Sequence, residues 1–166
     1  GDFLAYQELS KDRLKAFQAY RSVWLQQMRK LPAKKRGPMA YMIYQMSSPQ
    51  QQASLEAEFS KWPVSEDNRK VVALGKRNEL LVKRRSFESV ELNNIKTLQA
   101  NTKEKLERLN SLETAVTDFV KIGEPNSAVE ALSMLAESFR EMAEGLRTAP
   151  IPDVLEGENR AQYQKA

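Results

Sequence analysis

Histidine and cysteine are both absent from this sequence, and glycine occurs only six times in 166 residues. The first two absences remove the commonest general base, the Ser-His-Asp and Cys-His arrangements, and most zinc sites. They also remove any disulfide framework, so cysteine usage leaves cytosol and periplasm both open. The glycines are scattered, which leaves no Gly-rich loop to cradle a phosphate. Missing too is any stretch of about 18 apolar residues that would span a bilayer, and Gly1 is not followed by a basic and then apolar leader. Carboxylate pairs or a Ser-Lys dyad would be the remaining catalytic chemistry. Glu104/Glu107 and Glu137/Glu141, however, lie at helical spacing beside Lys or Arg and read as solvated helix faces. No enzyme activity, metal or cofactor is expected.

Charge is plentiful and unevenly placed. The net +4 divides into 17 Lys+Arg against 8 Asp+Glu in residues 1–85 and 9 against 14 in residues 86–166. A basic half attracts nucleic acid, anionic lipid or an acidic protein, or it complements the acidic half within the molecule or between copies. Arg29-Lys30, Lys34-Lys35-Arg36 and Lys83-Arg84-Arg85 would contact phosphates, with Tyr41, Tyr44 and Trp62 as stacking platforms. No helix-turn-helix, ribbon or stacking motif accompanies them, and Lys83-Arg84-Arg85 has no apolar wedge for a lipid surface. The plainer reading is a solvated loop and the wet face of a helix, with the aromatics in a core.

Apolar spacing makes the chain all-α. Leu4, Leu14, Phe17, Tyr20, Val23, Trp24 and Met28 recur at helical intervals up to Leu31-Pro32, giving a first helix over about residues 4–31. Lys34–Gly37 is a loop. Pro38 suits the first turn of a short helix, and Ser48-Pro49 opens a third, with Gln51 completing a capping box. Ser65 caps a fourth helix, and no proline follows until Pro125. That spacing predicts one very long helix, weakened at Gly75 and Ser86–Ser89 by about 1 kcal/mol each at most, with a kink but no domain boundary.

Within it, Ile95, Leu98, Thr102, Leu106, Leu109, Leu112, Val116 and Phe119 draw a coiled-coil-like stripe. Gly123 suits a left-handed C-cap and Pro125 prevents continuation. Ser127 is expected to cap the next helix, whose Val129, Leu132, Leu135, Phe139, Met142 and Leu146 repeat the stripe. The two stripes predict an antiparallel hairpin in which Leu109, Leu112, Val116 and Phe119 pack on Val129, Leu132, Leu135 and Phe139.

Met39, Met42 and Met46 with Tyr41 and Tyr44 cluster on the short helix between prolines. Methionine adapts to irregular partner surfaces and also fills irregular cores, and core filling is the reading favoured here. If exposed, Met39, Tyr41, Met42 and Tyr44, with Lys34, Lys35 and Arg36 beside them, are the first choice for a docking or self-association surface.

After the second stripe come Ala149-Pro150-Ile151-Pro152-Asp153-Val154-Leu155 and an acidic helix start carrying Tyr163. Two prolines one residue apart make a fixed elbow, from which Ile151, Leu155 and Tyr163 would pack on a following module. The ten residues from Gly157 are fewer than the ~12–15 an isolated helix needs, so the chain is expected to be excised from a longer protein. The run from Phe87 through Leu106–Val120, the Phe139–Leu146 segment and the double-proline turn resemble a block in large tetratricopeptide-repeat proteins of gliding and predatory deltaproteobacteria, the adventurous-gliding-motility-like group. The resemblance covers residues 87–166. The tetratricopeptide consensus itself does not occur here, so the resemblance implies a module that accompanies the repeats.

The sequence thus reads as one all-helical module over residues 1–166, solenoid-like or a bundle. It would comprise short helices and loops (1–63), a long helical hairpin (64–147), and an elbow with an incomplete helix (148–166). The expected function is a non-catalytic scaffold that binds other proteins and adjacent repeats of its own chain, with a homo-oligomer also open. Its rival is a cytoplasmic adaptor binding nucleic acid or an anionic surface through the basic half, and nucleic acid is disfavoured. The resemblance implies a periplasmic or cell-envelope location, which composition does not decide.

Overall fold

Proline and serine set most helix boundaries in the computed structural model, which describes the backbone of residues 2–151 and side chains from residue 15 onward, except that of residue 17. Six α-helices occur among the described residues: α1 (Asp2–Lys30), α2 (Gly37–Gln45), α3 (Pro49–Phe59), α4 (Arg69–Glu88), α5 (Leu98–Val120) and α6 (Pro125–Thr148). A single 3₁₀ turn spans Ala33–Lys35, and no strand is present among these residues, so the fold is all-α. The chain divides into two compact units, residues 1–77 with 122–124, and residues 78–121 with those from 125 onward.

In the first unit, α1 ends where Leu31-Pro32 stops it. The Arg36 guanidinium donates to the carbonyls of Leu31 and Arg29, both at 2.9 Å, supplying partners that the last helical turn lacks. Arg29 and Lys30 in that turn oppose the helix dipole. Gln51 accepts from the Ser48 N–H at 3.0 Å, the expected capping box of α3. Asn68 is fully buried and joins three segments: it accepts from the Gly37 N–H at 2.8 Å and donates to the carbonyls of Ala33 at 2.7 Å and Pro63 at 3.2 Å. Its three partners make burial of a polar amide tolerable.

Met28, Ala40, Ile43, Leu55, Phe59 and Val71 form this unit's core. The Tyr44 and Trp62 rings lie 6.2 and 5.0 Å from that of Phe59. Gly75 does more than weaken a helix, because a β-carbon there would sit 2.4 Å from the Ser60 amide nitrogen and 2.6 Å from the Glu56 carbonyl oxygen. Only glycine lets α4 approach the end of α3 so closely. Of the α1 stripe, Met28 is buried while Tyr20, Val23 and Trp24 are exposed. The side chains of Leu4, Leu14 and Phe17 lie outside the described set.

In the second unit the long fourth helix expected from the sequence is two helices, because α4 stops at Glu88 and α5 begins at Leu98. Neither proline nor glycine breaks it. The carbonyls at the end of α4 instead bond to cationic side chains of α5: Lys105 Nζ donates to Val90 O at 2.9 Å and Phe87 O at 3.4 Å, and Arg108 donates to Ser86 O at 2.5 Å. Asn94 starts the next turn by accepting from the Lys96 N–H at 3.0 Å. Phe87, Leu92, Leu98, Leu109 and Met142 pack beneath this break.

Gly123, at φ +77°, adopts the expected left-handed conformation, and α6, which follows it, packs against α5. Because α6 begins at Pro125, Ser127 sits inside its first turn and does not cap it. Leu109, Leu112, Val116 and Phe119 are buried as expected. Of their expected counterparts Leu135 is partly buried against this core, whereas Val129, Leu132 and Phe139 are exposed, and α6 buries Ala131, Ser138 and Met142. Small residues suit this face of α6 to close packing, and at Gly145 an added β-carbon would lie 3.3 Å from Leu92 Cδ1, tighter than an ordinary contact.

Candidate interaction surface

Two faces of α6 carry what is distinctive about the second unit. The inner face holds a polar network around Lys105, which is only 5% exposed. Its ammonium lies 2.9 Å from Glu141 Oε1 and 4.2 Å from the centre of the Phe87 ring, besides its two carbonyl acceptors. A buried ammonium needs such a full set of partners, since an unpaired one would shed its proton or unfold its surroundings. Arg84 extends the network from α4, bonding to Glu88 at 2.6 Å and to the Met134 carbonyl at 2.9 Å, with Glu137 at 3.6 Å and Glu141 at 3.7 Å. Glu137 and Glu141 are therefore not the merely solvated pair their spacing suggested. Glu104 bonds Arg108 at the surface.

An open cleft of about 370 Å³ lies beside this network, lined by residues including Glu91, Asn94, Asn101 and Arg108. Its polar groups already serve the fold: Asn101 donates to Glu91 O at 2.8 Å, and Arg108 to Ser86 O and Ser89 Oγ. Among the described residues no cluster of three or more metal-binding side chains occurs, and no helix is long and apolar enough to cross a membrane.

The outer face is apolar. Val129, Leu132, Phe139 and Leu146 are 68, 51, 46 and 46% exposed. With Ala136 and Ala143 they recur at intervals of three, four, three, four and three residues, which is heptad spacing. Covering the exposed parts of the four larger side chains would contribute on the order of 1 kcal/mol each. Leu106 of α5 is also exposed.

The residues expected to dock partners in the first unit sit differently. Met39, Tyr41 and Tyr44 pack partly buried against the Ile43–Phe59 core, and of the four only Met42 is exposed. The Tyr44 hydroxyl donates to Glu56 at 2.6 Å, and burial together with this bond pushes its pKa up to about 12. Lys70 lies 3.8 Å over the Tyr41 ring, and Arg36, already bonded to α1, lies 5.8 Å over Trp62. Lys34 and Lys35 are exposed. The short helix is thus a core element, and its aromatics already have partners within the chain. Ile151 is partly buried, whereas Leu155 and Tyr163 lie outside the described residues.

Hydrophobicity alone marks the α6 stripe as the buried face, whereas residue size marks the other. The signal available was the line Ala131, Ser138 and Gly145, small residues seven apart, which marks close helix approach. No family model, curated protein or solved structure matches the chain.

Proposed function

We propose that this chain is a non-catalytic helical frame that binds other polypeptides, with the outer face of α6 as its contact surface. The observation that carries this reading is the exposed heptad of Val129, Leu132, Phe139 and Leu146 on a helix whose opposite side is fixed by buried packing and the Lys105 network. Exposed apolar side chains in one contiguous strip are the usual mark of an interaction site, whereas single ones are not. A helical hairpin formed by α5 and α6 supplies the stiffness, and a second helix laid along the strip supplies the recognition. The resemblance carried by the double-proline turn adds a context, a repeat-containing scaffold of the bacterial cell envelope.

The test replaces Leu132 with a photoreactive benzophenone amino acid and irradiates the protein in its own cells. A covalent adduct to a polypeptide, absent when the same group replaces exposed Glu107 of α5, supports the reading. Irradiation that yields no polypeptide adduct from position 132 overturns it.

A further inference from the structure

The spacing of large and small residues along the outer face of α6 says what covers it. From the N-terminal end the seam reads Val129, Leu132, Ala136, Phe139, Ala143, Leu146. Reversing that order and laying it on itself, with a two-fold axis crossing between residues 137 and 138, sets Leu132 opposite the second copy's Ala143. The same operation sets Phe139 opposite its Ala136 and Leu146 opposite its Val129. Every bulky side chain meets a smaller one, except for the single Val129–Leu146 layer at each end, where two branched side chains close the seam. Antiparallel heptad helices pack by inserting such knobs into the holes opposite. The register is also the one a two-fold axis requires, since each contact then occurs twice.

Charge agrees with size. Beyond the seam α6 carries Arg140 and Arg147, then Glu130, Glu137 and Glu144. In the antiparallel register Arg140 comes within a turn of the second copy's Glu137, and Arg147 within a turn of its Glu130, while Arg140 lies alongside Ser133 and not another cation. Parallel packing would bring like side chains together at every level, Phe139 on Phe139 and Arg140 beside Arg140.

We infer that the occupant of the outer face of α6 is a second copy of the same helix, packed antiparallel about a two-fold axis near residues 137 and 138. This rests on the reading of that face as a polypeptide-binding surface and names its partner. The seam is about 26 Å long at 1.5 Å per residue, so the dimer is a modest one that dissociates on dilution.

Sedimentation velocity of the full chain over roughly 1–500 µM tests it, a range that spans modest interface affinities. The intact protein shifts from monomer to dimer as concentration rises. Phe139→Ala weakens the dimer by about tenfold or more, because it empties the central knob. Ala136→Phe also weakens it, by setting two bulky rings against each other. Combining Ala136→Phe with Phe139→Ala restores association, since each copy again offers one knob and one hole. Circular dichroism confirms that the variants keep their helices, so lost association is not lost folding. A chain that stays monomeric throughout overturns the inference, as does a dimer indifferent to Phe139 or one the combined variant fails to restore. Should a monomer shield Phe139 from hydroxyl-radical labelling, residues 152–166 are the occupant and the second copy is not. A monomer whose benzophenone at position 132 captures a different polypeptide overturns this inference alone, and the absence of any polypeptide adduct overturns the functional reading as well.

Discussion

The ammonium of Lys105 is 2.9 Å from Glu141 Oε1, and the same nitrogen bonds the Val90 carbonyl at 2.9 Å. One side chain of α5 thereby ties α6 to the end of α4. It explains why the chain turns at Ser89 without a proline or glycine to force it: the terminal carbonyls find a cation across the unit and no further helical N–H is needed. Lys105→Met keeps the length of the side chain and removes its charge. The expected cost is about 2–4 kcal/mol, from buried carbonyls left without a donor and a carboxylate left without its cation. Glu141→Gln should cost less, about 1 kcal/mol, because Glu141 is partly solvated and an amide still accepts. Urea unfolding of the two variants measures both, and equal losses would show that the carbonyl contacts contribute little.

Asn68 is the corresponding polar centre of the first unit. Asn68→Ala would strand the Gly37 N–H and release the Ala33 and Pro63 carbonyls. A loss of about 2–3 kcal/mol is expected in the same unfolding experiment. A neutral result would mean that water replaces all three bonds.

At Gly75 two principles give opposite signs. Helix propensity alone makes Gly→Ala stabilising by about 1 kcal/mol. The added methyl would meet backbone atoms 2.4 and 2.6 Å away, and those cannot swing aside as a flexible side chain does. Contact wins, so Gly75→Ala should destabilise by roughly 1–3 kcal/mol, the range for overpacking a close interface. A higher melting temperature for Gly75→Ala would contradict the close approach of α4 to α3.

Which parts of this architecture were legible in the sequence follows from where their causes lie. Local causes were visible: Leu31-Pro32 ends α1, Ser48-Pro49 with Gln51 starts α3, and Gly123 turns the chain before α6. The break after Glu88 was not, because its cause is Lys105 and Arg108, which reach it across the fold. Nor was the buried face of α6, where Ala131 and Ser138 displace Leu132 and Phe139 because short distance outweighs hydrophobicity. The short helix would dock a partner only if exposed, and Met39, Tyr41 and Tyr44 instead pack on the core with Met42 alone of the four exposed, whereas the exposed strip of α6 lies on residues whose hydrophobicity marks them as interior.

Tyr44 gives the first unit an alkaline limit. Its folded pKa, about 12, lies above the ordinary 10.0, chiefly through burial and then through its bond to Glu56. The folded state therefore holds the phenol proton more tightly than the unfolded chain does. The stability this contributes is complete below pH 10 and is lost as pH rises from 10 towards 12. Tyr44→Phe should flatten the stability profile in that window relative to the intact protein. An unchanged slope would show that other groups dominate alkaline unfolding.

Phe139 supplies the most direct test of the claim that the outer face of α6 serves binding and not folding. The measurement is the unfolding free energy of Phe139→Ser, taken dilute enough for the protein to be monomeric, beside that of Phe119→Ala from the buried stripe of α5. The two rings differ in exposure, 46% against 6%. Phe139→Ser should lie within about 0.5 kcal/mol of the intact monomer, as surface substitutions do, while Phe119→Ala loses roughly 3–5 kcal/mol. A comparable loss at Phe139 would contradict the account, because that ring would then belong to the core of the folded chain.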